Sequence, residues 1–454
     1  MTSNITKKTV FLTIPNYIFA SDLLRTNYIK YLSGVYKVIV VSPIIGIKEV
    51  NEFGYFNSGN ILYVKRNLEH SKFWNIFKFL RITLVNEFDN LNYFKQFYLR
   101  DNFKKNKKRR FVRFLGKPLK TILTADLFTS LERFLMPVPK DIAELFISFN
   151  PDLIITSTPG LNPFEAELII SANKKRIPTV AIDFSWDNLT TNAKHIRKTD
   201  YLVSWNNIMK QEAINIHKYL PEKVFVSGPM RFDSYFKNYE TEPTRDEFLK
   251  SKRLNPINKT IFYTTVTKAY PFQKQYLKEL LNLRESRRIP YVNVFVRIHP
   301  RDEYDNYREF FNCKDFYFEK AGNEIIDENR NKNIEMNKED LLNLKYSLKY
   351  TDININYAST ISIEACVFDK PIINIGYIGI YGMAYNFDHY EPVYKSGAVI
   401  LAKTEDELGE YINIYLKNPD KDSENRKKIF DNFFDFKDGF SYKRSVDFLY
   451  KIIK

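Results

Sequence analysis

The chain has 454 residues, 44% apolar and 27% charged, which excludes a wholly disordered polymer and leaves room for two or three domains around large cores. Two cysteines, Cys313 and Cys366, cannot build a disulfide framework and match no metal-ligand spacing, so a reducing compartment and no metal are expected. The net charge of +15 suggests an anionic partner, yet +12 of it lies between residues 65 and 120, where sixteen Lys and Arg stand against four acids.

In chain order, TVFLTIPN reads as a buried strand, followed by a helical stretch around Leu23 to Leu32 and the strands YKVIVVSP and ILYVKR. The apolar run after Lys7 and Lys8 is too short for a signal-peptide core. Val38 to Ile47 is interrupted by Ser42 and Pro43 and falls far short of the roughly 20 residues of a membrane span. A cytoplasmic protein is expected, with membrane contact limited to the inner face of the plasma membrane.

Residues 65–149 break the strand–helix pattern. Phe73, Trp74, Ile76, Phe77, Leu80, Leu84 and Phe88 recur at helical spacing, and KKNKKRR at 104–110 is the densest basic run. This predicts a basic, mostly helical insertion. It serves either as solvated surface or as a dock for anionic lipid headgroups or a phosphate-bearing acceptor. No nucleic-acid motif accompanies it, and no nucleic-acid partner is expected.

The alternation resumes with PDLIITSTP, the helix at 165–176, and the strands IPTVAID, DYLVSWN and KVFVSGP. After a polar stretch at 237–258 holding Pro243 and Pro256, a second series follows. It comprises TIFYTTV, the helix at 273–288, YVNVFVRIHP, FYFEK, a helix near 338–350, DININYA, a short helix at 360–368, PIINIGY, VILA and a helix from about Glu405. Short apolar strands alternating with helices indicate parallel sheets covered on both faces. The predicted fold is α/β, with two Rossmann-like doubly wound domains facing across a cleft. The first spans 1–236 and contains the 65–149 insertion. A linker covers 237–258, and the second domain spans 259–454, its C-terminal helix free to pack back on the first.

Chemistry is expected at the carboxyl ends of these strands. In RIHPRD (297–302) an imidazole stands between two guanidinium groups, Arg297, His299 and Arg301, a cluster suited to a phosphate or diphosphate. ASTISIEACVFDKP (358–371) places Ser359 and Thr360 at a helix start, where free N–H groups favour an anion, and Glu364 one turn in, where it is able to accept from ribose hydroxyls. Gly376, Gly379 and Gly382 mark a tight loop a ligand approaches, although their spacing is not the dinucleotide fingerprint. FSWDNLTTNAKH (184–195) supplies Asp187 as the preferred general base for an acceptor hydroxyl, with Asp183, Glu165 and Asp22 as rivals. KDGFSYKR (437–444) pairs Asp438 with Arg444 as a helix cap or a cross-domain contact. The only Asp-x-Asp, Asp420 and Asp422, lies in a loop between helices, so a metal-dependent transferase is not expected.

At SWDN, YLVSWN, VFVSGPMRFD, RIHPRD, ASTISIEACVFDKPIINIGY and DGFSYKR the chain resembles bacterial glycosyltransferases of the GT-B superfamily. The flavour is that of capsule and surface-polysaccharide transferases and CDP-glycerol glycerophosphotransferase-like proteins. The resemblance implies metal-independent, inverting transfer of a sugar. The nucleotide-activated donor, a co-substrate and not a cofactor, would be held by the second domain, and a glycan or lipid-linked acceptor by the first. It also implies donor-phosphate contacts from His299, Pro300, Ser359 and Thr360, as in related sialyltransferases, although the acidic motif that carries their base is missing here. The alternatives are polyol-phosphate transfer from a CDP donor and a sugar-nucleotide 2-epimerase.

Overall fold

The computed structural model describes residues 7–67, 72–100, 106–237, 241–268, 270, 272–326, 332–376 and 379–453, without the side chains of 97–100 and 379–381. Lys104 and Lys105 of the basic run, and Tyr377 and Ile378 of the glycine loop, lie outside the described residues.

The chain divides into two units. The first comprises Met1–Asp233, Ile325–Glu335 and Phe434–Lys454, and the second Ser234–Glu324 and Met336–Phe433. The first unit is built on seven strands: β1 (Thr9–Thr13), β2 (Lys37–Ser42), β3 (Ile61–Lys65), β4 (Leu153–Thr156), β5 (Thr179–Ile182), β6 (Tyr201–Ser204) and β7 (Val224–Val226). Every pair is parallel, in the order β3-β2-β1-β4-β5-β6-β7. Alternation sorts the side chains between two cores. Val10, Leu12, Val38, Val40 and Ile155 point to one, while Phe11, Ile39, Val41 and Ile154 pack with Ile142, Phe146 and Leu168 on the other. Both faces are buried, which is why these strands read as unbroken apolar runs.

The second unit repeats the design with β8 (Thr260–Thr264), β9 (Asn293–Ile298) and β10 (Phe316–Lys320). A two-stranded sheet of β11 (Asn323–Ile326) and β12 (Lys332–Glu335) comes next in the chain. Strands β13 (Ile353–Asn356), β14 (Ile372–Asn374) and β15 (Ile400–Leu401) complete the order β10-β9-β8-β13-β14-β15, again all parallel. Both sheets thus follow the doubly wound order whose direction reverses beside the first strand, at the β1/β4 and β8/β13 junctions. The Rossmann-like class expected for each domain is observed.

Residues 237–258, expected as a linker, include the helix Arg245–Ser251, closed by a capping box at Thr244 and Glu247. Its Phe248 and Leu249 are buried, and Phe248 lies against Phe295 of β9. Residues 325–335 and 434–454, read with the second domain, belong to the first unit. Glu335 is buried there and accepts from Tyr55 Oη (3.1 Å) and from Arg25.

The insertion folds as helices Lys72–Leu84, Asn92–Arg100, Lys107–Leu115, Ala125–Leu135 and Lys140–Phe149, with a 3-10 turn at Lys117–Thr121. The continuous apolar face read from its first helix is divided. Trp74 is buried with Met136, Ala166 and Ile170, but Phe73 and Ile76 are exposed. Arg81 is buried, donating to Thr129 Oγ1 and Glu132 Oε2 at 2.6 Å each, and Arg197 pairs with the same carboxylate at 2.8 Å. A charge was able to enter this core because Glu132 came with it. Among the described residues no helix is long and apolar enough to cross a membrane.

Candidate functional site

In the first unit, the carboxyl ends of β4 to β7 open into a pocket lined by Asp22, Ser157, Asp183, Trp205, Ser227 and Arg231, among others. Asp183 follows the last residue of β5 and is 1% exposed. Its Oδ1 accepts from Asn188 Nδ2 at 2.6 Å, whereas Oδ2 is buried without a hydrogen-bond partner. Burial pushes this carboxyl up to about 7, against the hydrogen bonds from Asn188 and Ser185 that favour its charged form. A half-ionised carboxyl with one oxygen unused is what a general acid–base group requires at neutral pH.

The rivals are differently placed. Asp187, the preferred base in the sequence, is only half-buried and does not line the pocket. Its oxygens accept from Ser185 Oγ and from Thr191 Oγ1 (3.2 Å), as in a turn that starts the short helix Asn188–Thr191. Glu165, in the first turn of the helix Pro163–Lys174, is fully buried at the β1/β4 junction. It accepts from Thr13 Oγ1, the Ser157 backbone N–H (2.7 Å), Ser157 Oγ (2.8 Å) and Thr158 Oγ1. Burial raises its pKa to about 7 as well, but all this capacity ties the two strand ends together. Asp22 forms a bidentate pair with Arg231 at 2.9 and 2.8 Å, aiming that guanidinium at the pocket.

Trp205, Ser227 and Arg231 lie in YLVSWN and VFVSGPMRFD, two of the motifs that carry the resemblance, but the sequence assigns none of them an individual role. The C-terminal segment helps shape this pocket, because Arg444 pairs with Asp438 and donates to Ser227 O at 2.8 Å. Gly228 has φ +90°, and a Cβ there would meet Ser441 Oγ at 2.4 Å.

In the second unit, the ladder continues past the ends of β8 and β9. The Thr265 backbone N–H donates to Arg297 O (3.1 Å), and the His299 backbone N–H donates to Thr265 Oγ1 (2.8 Å). His299 Nδ1 accepts the Arg301 backbone N–H at 3.0 Å, which leaves the ring proton on Nε2. Burial, reinforced by the charge of Arg301, lowers its pKa to about 4. His299 is therefore a neutral donor. Strand order sets it on one side of the β8 end, and on the other, after β13, come Ser359 and Thr360.

Ser359 Oγ accepts from the Ile361 backbone N–H (3.3 Å), and Thr360 starts the helix Ile361–Val367 without capping it through its hydroxyl. Ala358 is held at φ +39°, in the left-handed region a residue with a Cβ seldom adopts. Beneath lies a buried amide network, in which Asn356 Oδ1 accepts from Ser359 N, Ser362 Oγ and Asn374 Nδ2. Glu364 is buried and accepts from Tyr235 Oη at 2.5 Å. Tyr270 stacks on Tyr357 with centroids 4.5 Å apart, joining the loops after β8 and β13. Gly376 has φ +152°, and a Cβ there would meet the Tyr357 and Tyr385 rings, each at 3.0 Å, so its task is to admit these two rings.

One expected phosphate ligand is engaged elsewhere. Arg297 is buried and pairs with Glu319, its register partner on β10, which also takes Lys252 and Asn343. The arginine holds strands together, and that is a correction to its reading as a donor ligand. Arg301 is exposed, and its charge is felt by the imidazole. Among the described residues no group of His, Cys, Asp or Glu is arranged to hold a metal ion.

No protein-family model and no curated protein matches the sequence. Solved structures do match along the whole chain. A UDP-GlcNAc 2-epimerase from Methanocaldococcus jannaschii superposes with a TM-score of 0.54 at 15% identity, over 98% of this chain and 100% of the other. A UDP-GlcNAc 2-epimerase from Neisseria meningitidis bound to UDP-GlcNAc gives 0.55 at 12% identity, over 98% and 100%. A glycosyltransferase from Rickettsia africae gives 0.51 at 13% identity, over 99% of each. At such identities the likeness establishes the fold, a GT-B-like pairing of Rossmann-like domains. It does not single out the capsule or CDP-glycerol transferases that the motifs resemble.

Proposed function

We propose that the chain processes a nucleotide-activated sugar, without a metal. The observation that carries this reading is the end of β8 in the second unit. Neutral His299 with its proton on Nε2 stands on one side and the Ser359–Thr360 helix start on the other, a set of uncharged donors for phosphate oxygens. Glu364 lies one turn further for a ribose. The first unit has its own pocket, in which Asp183 is a titratable group poised near neutral pH beside Arg231.

Of the reactions open to this set, epimerisation at C2 of a UDP-sugar has more support from the similar structures than the glycosyl transfer read from the sequence. Inverting C2 takes a proton from that carbon as the C1–O bond to UDP breaks, leaving a C1–C2 double bond, and returns a proton to the opposite face of C2 as UDP re-adds at C1; Asp183 suits one of those proton steps. The second reading, transfer to a glycan or lipid-linked acceptor, is favoured by the basic insertion, which epimerisation of a free UDP-sugar does not use.

One experiment separates them: the full-length protein is incubated with UDP-GlcNAc in D2O and followed by proton NMR. Deuterium at C2 and a second UDP-sugar, with no acceptor present, identify the epimerase. Release of UDP only when a glycan acceptor is added identifies the transferase. If UDP, CDP, GDP and CMP all fail to bind in calorimetry, the nucleotide-sugar reading is wrong.

A further inference from the structure

We infer that the insertion docks the protein on an anionic lipid bilayer through the helix Lys107–Leu115 and the segment that follows it, whichever reaction the enzyme runs. The helix is mounted inside out. Two of its cations hold it to the protein: Arg113 pairs with Asp89 at 3.0 Å, and Arg109 lies over the Phe79 ring. Gly116 is buried so close to Leu84 that a Cβ would come within 2.3 Å of its methyl carbon.

The apolar side faces solvent. Phe111, Phe114 and Leu115, one helical stripe, are 63%, 73% and 57% exposed, and Leu119 and Ile122 continue it at 52% and 67%. On the neighbouring helix Ala125–Leu135, Leu127, Leu131, Phe134 and Leu135 also stand exposed at helical spacing, with Phe134 at 82%. Globular proteins bury such stripes, and one this long marks a surface that meets something apolar.

Charge identifies the partner. Residues 106–124 carry seven Lys and Arg and no acid, and Lys107, Lys108, Arg110 and Lys117 are exposed. Outward aliphatic and aromatic side chains ringed by cations match the headgroup–acyl boundary of an anionic leaflet, where the rings and methyls enter the acyl layer and the ammonium and guanidinium groups meet phosphates. Leu119 and Ile122 have no use in stacking on nucleic-acid bases, and the exposed cations Lys107, Lys108, Arg110 and Lys117 repel a second copy of the same face.

The test is co-sedimentation of the full-length protein with phosphatidylcholine vesicles, with and without phosphatidylglycerol, at low and high salt. Wild type should pellet only with the phosphatidylglycerol vesicles. The triple variant K107Q/R110Q/K117Q should bind roughly a hundredfold more weakly, at about fivefold per cation. The variant F114S/I122S, altered only at exposed positions, should lose the binding that survives high salt and keep wild-type turnover of soluble substrate. Equal binding to neutral vesicles, no binding, or binding indifferent to both variants would overturn the inference. So would a dimer that F114S/I122S dissociates, which makes the face an interface between copies, or a preference for single-stranded oligonucleotides over vesicles.

Discussion

Replacing Asp183 by Asn should make the protein more stable at alkaline pH while disabling it. The carboxyl is buried and its pKa stands at about 7 against an ordinary 3.8. A carboxyl whose pKa is raised by folding binds its proton more tightly in the native state. Its contribution is therefore favourable below about pH 4 and is lost as pH rises to 7. At 1.36 kcal/mol per pH unit, the ionised form costs the native state about 4 kcal/mol at pH 8. Asn keeps the size and an oxygen for Asn188 Nδ2 but carries no charge. Urea unfolding of D183N and wild type at pH 4, 6, 7 and 8 should show D183N ahead by up to about 4 kcal/mol at pH 8, less at pH 6, and nearly level at pH 4. Turnover should fall by about two to four orders of magnitude, the range lost with a general acid–base group. A D183N protein less stable than wild type at pH 8, or a gap that ignores pH, would refute the raised pKa. Full turnover in a folded D183N would remove Asp183 from the chemistry.

His299→Ala should weaken UDP binding by about ten- to a hundredfold, the worth of a hydrogen bond to a charged group, as read by calorimetry. Because burial holds the imidazole neutral down to about pH 4, wild-type affinity should be level between pH 7 and 8; a His299-dependent drop in that interval would mean the cationic form binds. Arg297→Gln should destabilise the second unit by about 2 kcal/mol, the worth of a hydrogen bond to a charged group, because Glu319 keeps Lys252 and Asn343, while folded protein keeps its UDP affinity. A selective loss of affinity at unchanged stability would restore Arg297 to the phosphate site.

These contrasts show which kinds of inference a sequence supports. Strands such as LIIT in β4 and TVAI in β5 are buried on both faces, so their apolar runs announce themselves, and parallel order follows from the helices between them. Partners across a sheet do not announce themselves. Arg297 and His299 sit two residues apart in RIHPRD and look equivalent, yet Arg297 is still within β9 and meets Glu319 on β10, while His299 has passed the strand end. Asp183 and Asp187 share one short segment, IDFSWDN, and differ only in burial. The first leaves a strand into a pocket, and the second satisfies itself with Ser185 and Thr191. Hydropathy read along the chain cannot foresee that Arg81 goes inside and Phe73 outside, because the decision rests with Glu132 on another helix.

The charge pattern and the exposed apolar stripe become a single problem when taken together. A basic run alone is ordinary solvated surface, and an apolar helical face alone is ordinary core. In the helix Lys107–Leu115 the two exchange places: Arg113 is tied inward to Asp89, and Phe111 and Phe114 are turned out. Asp89 also takes Lys194, which closes the segment that begins at Asp183. The mooring of the exposed helix and the loop that follows the candidate acid–base residue therefore share one carboxylate. That common anchor belongs to the same unit as the Asp183 pocket, so a bilayer bound at Phe111 and Phe114 would fix the orientation of that unit. Such a constraint matters to a transferase with a lipid-linked acceptor and is idle in an epimerase of soluble UDP-sugars, so vesicle binding bears on the choice between the two reactions as well as on where the protein works.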